Sequence, residues 1–171
     1  MNVMRMCRTG TCVGALLLTA CTPALNWRSV GVGDATAMLP CKPDIAQRMV
    51  HLGSQDLTLH MVGCEAGGAL FAISQTRLPP GTPAAAVLAD WRQSALTNLH
   101  AEEVSAMPSK APRADVQTLL LRARGKRPNS TAVDARLLWW ATDTQVLHVA
   151  VYADAISPDM TETLFSEIKI P

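Results

Sequence analysis

The chain has 171 residues and a formal net charge of +1; 49% of its residues are hydrophobic but only 4% are aromatic. That length suits one domain with a sizeable core. All 14 acids but only 13 of the 15 bases follow residue 20, and so slight an imbalance argues against a nucleic-acid-binding surface.

Residues 1–8 carry two positive charges, Arg5 and Arg8, and no acid. From Cys12 to Ala20 the chain is uncharged and largely apolar. A basic segment followed by a short apolar one is the order of an export signal. The run falls short of the roughly 20 apolar residues a spanning helix needs, and Pro23 and Asn26 stop it from growing. It ends in Leu18-Thr19-Ala20-Cys21, which resembles the lipobox of bacterial lipoprotein precursors. The resemblance implies diacylglycerol on the Cys21 sulfur, cleavage before Cys21 and acylation of the new amine. Residues 1–20 are then a lipoprotein signal peptide, and Cys7 and Cys12 leave with it. An ordinary secretory signal with a coincidental cysteine is the alternative. Two or three acyl chains give stable anchoring, at about 0.8 kcal/mol per buried methylene. In lipoproteins of two-membrane bacteria, an Asp after the lipidated Cys tends to retain the protein at the inner membrane. Thr22 therefore implies the outer membrane, facing the periplasm, if the organism has two membranes.

Residues 21–33 read as a lipidated tether, and 34–171 as a single α+β domain. The first strand is expected over 34–39, stopped by Pro40-Cys41-Lys42-Pro43. A second covers 45–52 and a third 57–64, where Leu57, Leu59 and Met61 alternate with Thr58, His60 and Val62. A four-residue turn over 53–56 pairs Leu52 with Leu57 and Ile45 with Cys64. After removal of the signal and lipidation of Cys21, Cys41 and Cys64 remain. In an oxidising compartment this even pair reads as a disulfide, with two buried free thiols as the alternative. Such a bridge closes a loop of about two dozen residues, worth roughly 2–4 kcal/mol.

A turn at 65–68 leads to a fourth strand over 69–76. Thr82-Pro83 reads as a helix start, with Thr as N-cap and Pro at the first helical position. Val87, Leu88, Trp91, Ala95 and Leu99 then form one apolar stripe. Residues 107–112 read as loop. Three further strands, over 116–124, 132–141 and 146–153, form an antiparallel meander. Trp139 and Trp140 are adjacent in a strand, so alternation sends them to opposite faces, which suits a sheet covered on both sides. A second helix begins at Ser157-Pro158 and runs to about Ser166.

The fold class expected is thus α+β: a mostly antiparallel sheet of about seven strands packed between helices. The element order, with the opening Met38-Leu-Pro-Cys-Lys-Pro-Asp44, resembles the PsbP-like fold, an antiparallel sheet between helices. This is a resemblance of topology without a specific motif, and it implies an accessory or binding module only by analogy. Residues 39–44 (LPCKPD) and 63–68 (GCEAGG) also resemble small proteobacterial envelope proteins, which carries no activity across.

Candidate chemistry is sparse. No Gly-x-Ser-x-Gly elbow is present. Cys64 beside His51 or His60 would make a thiolate nucleophile only if the disulfide did not form. In the register above, His51 and His60 are diagonal neighbours on one face and would share a metal, but no third ligand is evident. Arg122, Arg124, Lys126 and Arg127 cluster at a hairpin, which suits a partner such as an envelope protein, lipid headgroups or an anionic glycan; a solvated turn is the plainer reading. Glu102, Glu103, Asp134 and Asp143 form no pair placed for acid–base work, and Gly67-Gly68 reads as a turn between strands. No cofactor is implied. The expected role is a non-enzymatic, lipid-anchored envelope module. A small metal-binding or hydrolytic envelope enzyme and a purely structural envelope protein are the alternatives.

Overall fold

A computed structural model describes residues 24–171; residues 1–20 and Cys21, which carry the export and lipidation readings, lie outside it. Two strands form a hairpin, β1 (Arg28–Val32) and β2 (Ala35–Leu39). Seven more form one antiparallel sheet: β3 (Asp44–Leu52), β4 (Gln55–Ala66), β5 (Ala69–Arg77), β6 (Glu103–Met107), β7 (Gln117–Lys126), β8 (Ala132–Thr142) and β9 (Gln145–Ala153). Their order across the sheet is β3-β4-β5-β9-β8-β7-β6. The one long helix, α1 (Ala84–Asn98), follows β5. A 3-10 turn at Pro158–Met160 and a short helix α2 (Glu162–Ser166) follow β9. No helix among the described residues is long and apolar enough to cross a membrane.

The fold is sheet-rich and its helices are few, so the expected packing between helices holds only in part. Only α1 covers one face. The other is covered by the β1–β2 hairpin, α2 and the C-terminal tail. Lys169 is tied to β2 by two backbone hydrogen bonds with Thr36, at 2.8 and 2.9 Å. Alternation in the strands builds one core on each face. Phe71, Ile73, Trp140, Val149 and Val151 pack under the hairpin and α2. Trp139, Val146, Leu137 and Ala150 pack with Val87 and Trp91 of α1. Trp139 and Trp140 are both buried, at 0% and 6% exposure, as two-sided covering requires.

Several boundaries differ from the sequence reading for identifiable reasons. Residues 28–32, assigned to the tether, form a strand. β6 lies where no element was expected; all five of its residues are exposed, so this edge strand has no buried face to impose an alternating pattern. Helix α1 starts one residue late, with Pro83 as N-cap and no side-chain cap. Pro83 is itself extended (φ −70°, ψ 107°), so helical geometry begins only at Ala84. The β3–β4 turn has two residues, Gly53 and Ser54, both at positive φ (58° and 65°). Tight hairpins favour this because the backbone twist of such a turn matches that of the strands. Leu52 therefore pairs with Gln55, and His51 with Asp56. The Cys41–Cys64 disulfide is formed, with Cα atoms 5.9 Å apart, and joins the β2–β3 connection to β4.

Candidate functional site

Helix α1 crosses its face of the sheet diagonally, and glycines seat both ends. At its first turns it touches the β3–β4 turn. A Cβ on Gly53 would lie 2.9 Å from Val87 Cγ2 and 3.1 Å from the Val87 backbone nitrogen. The Gly53 N–H donates to Asp90 Oδ2 at 2.8 Å. At the far end the helix meets β7. A Cβ on Gly125 would stand 2.2 Å from the Leu99 carbonyl oxygen, and the Lys126 N–H donates to that oxygen at 2.8 Å. The helix therefore runs from the β3–β4 turn, at one side of the sheet, to β7 near the other. It diverges from β4 and β5 on the way and leaves them uncovered toward the β4–β5 turn.

The result is a wedge-shaped groove of about 1030 Å³ between α1 and the sheet. One wall is the helix stripe Trp91, Ser94, Ala95 and Asn98, spaced so that all four share a helix face. The floor includes Ala72 and Ser74 of β5 and Ala150 of β9. Ala72 pairs with Ala150, and Ser74 with His148. Where Ser94 and Ala95 face Ala72, Ser74 and Ala150, the side chains are too small to fill the space between helix and sheet, so the gap stays open. Toward the narrow end the lining is buried: Leu52, Leu59 and Trp91 are 5%, 7% and 6% exposed. Toward the wide end it opens to water at Leu70, Gly67, Gly68 and Lys126.

Two polar side chains, Ser74 and His148, are buried in the lining. His148 lies between Ser74 and Trp139 in the sheet register. It is 8% exposed. Its ring stacks on Trp139 with centroids 4.4 Å apart and meets Trp91 edge-on at 5.5 Å. Burial pushes its pKa down to about 3, so the imidazole is neutral at pH 7. Nε2 is buried without a hydrogen-bond partner, as is Trp139 Nε1. A buried polar atom left unpaired costs about 1–3 kcal/mol. Nearer the mouth, burial raises the Tyr152 hydroxyl to about 12.

This chemistry suits binding better than catalysis. A base with so low a pKa is a poor proton acceptor near neutrality. Glu65, the only acid lining the groove among the described residues, sits on the far side of the β4–β5 pairing, opposite Leu70, and does not orient the ring. The lining is mainly apolar with a few polar groups, the usual make-up of a small-molecule site.

Of the residues singled out from the sequence, His51, Lys126 and Arg127 border the groove and the others fall elsewhere. His51 and His60 are not neighbours. His51 pairs with Asp56, to whose Oδ1 its Nδ1 lies at 2.9 Å, while His60 pairs with Gln47, four positions along β3. The correction follows from the two-residue turn, which shifts every partner from the expected register. Among the described residues no group of three His, Cys, Asp or Glu is arranged to hold a metal. Cys64 is in the disulfide and offers no thiolate. In the basic hairpin, Arg122 pairs with Arg136; burial, and then that like charge, lowers the pKa of Arg136. The other three each have an acid: Asp134 for Arg124 at 3.9 Å, Glu102 for Lys126, and Asp154 for Arg127 at 2.8 Å. Lys126 and Arg127 also border the mouth of the groove.

Sequence reading missed His148. A lone histidine inside Val146-Leu-His-Val-Ala-Val151 is a visible irregularity, and a turn over 142–145 already sets it opposite Trp139. The groove beside it depends on where α1 lies and left no local signal. No protein-family model matches the chain, and no curated protein matches it.

Proposed function

We propose that this is a lipid-anchored cell-envelope protein whose domain binds a hydrophobic small molecule in the groove under α1, as a non-enzymatic accessory module. One observation carries the binding half: an open groove with a mainly apolar lining, buried at one end by Leu52, Leu59 and Trp91. The anchoring half rests on the lipobox resemblance at Leu18–Cys21. Placement at the outer membrane, facing the periplasm, rests on Thr22 and on a two-membrane organism. The PsbP-like likeness belongs to the same proposal, supported by the antiparallel sheet and only in part by what covers it. Arg122 beside Arg136 is the part of the basic hairpin best placed to meet an envelope protein or an anionic glycan. Nucleic acid is no part of this reading.

The binding half is tested with an anilinonaphthalene sulfonate dye on the folded protein. One saturable site per chain is expected, lost when Ser94→Trp fills the groove. Binding unaffected by Ser94→Trp refutes it. The anchoring half is tested by intact mass. The chain should lack its first twenty residues and carry added acyl groups; an unprocessed Met1 refutes anchoring.

A further inference from the structure

We infer that the groove receives one linear acyl chain of a membrane lipid, inserted tail-first toward Trp91, with the head left at the Gly67 end. This rests on the proposed binding role and names its ligand class. The groove follows strand β4 from Leu59 to Ala66, seven residue steps and so about 23 Å. A bilayer's hydrocarbon core is about 30 Å thick, so one chain needs about half that. The wedge is narrow where α1 meets Gly53, which favours a thin, unbranched ligand over a fused ring system. Polarity is graded along it. Leu52, Leu59 and Trp91 line the buried end, while Glu65 and Lys126 stand at the exposed end.

The direction of entry follows from the chain itself. Leu25 packs on the opposite face of the sheet but at the same end, its Cδ2 3.3 Å from where a Cβ on Gly67 would stand. Gly67 borders the mouth. Cys21 precedes Leu25 by four residues, a reach of at most about 14 Å. An anchor on Cys21 therefore holds the open end of the groove near the bilayer, where a lipid's tail can enter without crossing water.

The test uses the full acylated protein in phosphatidylethanolamine–phosphatidylglycerol vesicles. Trace phospholipid carries a diazirine either at the tail methyl or beside the head. After irradiation, the tail probe should label peptides with Leu59 and Trp91, and the head-proximal probe those with Leu70 and Tyr152. Ser94→Trp, at an exposed helix position that tolerates a large side chain, should lower both at least tenfold. Reversed labelling, labelling confined to exposed Ile45 and Met49, or no effect of Ser94→Trp overturns the inference. If the dye still binds but neither lipid labels, the acyl-chain inference fails and the binding role stands; if neither binds, both fail. A Cys21→Ser chain added to the same vesicles should be labelled in the same peptides. Labelling of that variant alone means that the protein's own anchor fills the groove, and overturns the membrane lipid as source.

Discussion

Replacing Gly125 with alanine puts a methyl carbon 2.2 Å from the Leu99 carbonyl oxygen, 2.8 Å from Leu99 Cγ and 3.1 Å from the His100 oxygen. Two of these three atoms are backbone, so no side-chain rotation relieves the clash. Gly125 lies within β7 and has no positive φ, so the cost is steric and not conformational. Overpacking of this kind costs about 1–3 kcal/mol. The helix end must lift, which also weakens the Lys126–Leu99 hydrogen bond, typically worth about 0.5–1.5 kcal/mol. Together these give roughly 3 kcal/mol. At about 2–4 °C per kcal/mol for a domain of this size, the melting temperature should fall by about 6–12 °C. Gly31→Ala is the control, since a Cβ there meets nothing within 4 Å, and its melting temperature should barely move. Calorimetry of both variants beside the parent decides the matter. If Gly125→Ala melts within about 2 °C of Gly31→Ala, α1 is not seated on that glycine, and the wedge geometry built on it is wrong.

Reducing the Cys41–Cys64 bridge, or replacing both cysteines with alanine, opens a loop with a sequence separation of 23; urea unfolding should show a loss of roughly 2–4 kcal/mol, and an unchanged midpoint would mean that the bridge stabilises nothing. His148 has a folded pKa near 3, below its ordinary 6.5, so the unfolded chain binds the extra proton between those values. Its contribution to stability is complete above about pH 6.5 and drains away as pH falls, by up to about 1.4 kcal/mol per pH unit. His148→Phe should flatten that slope in urea titrations from pH 7 to 4; an equally steep slope in the variant would show that other groups cause it. Tyr152 is the chain's one tyrosine, so ultraviolet titration reports it alone. Ionisation near 12 instead of 10 is expected, with stability declining as pH rises through that interval, whereas ionisation near 10 would place the hydroxyl in water.

Local pattern and the tertiary structure decided different things about this protein. Strands β2 to β5 and β7 to β9, the Cys41–Cys64 pairing and the burial of Trp139 and Trp140 on opposite faces were all legible in the sequence. The strands and the two tryptophans follow from alternation and turn residues, which act over a few neighbours, and the disulfide from an even cysteine count. Strand β6 was not legible, because an edge strand exposed on every residue leaves no periodic mark. The β3–β4 register was misjudged by the length of one turn, and with it the fancied His51–His60 pair. The groove was decided by tertiary structure alone. Its shape depends on Gly53 and Gly125, 72 positions apart, each admitting one end of the same helix. The small residues that keep it open, Ala72, Ala150, Ser94 and Ala95, are unremarkable where they stand and leave a gap only once a diagonal helix sets them face to face.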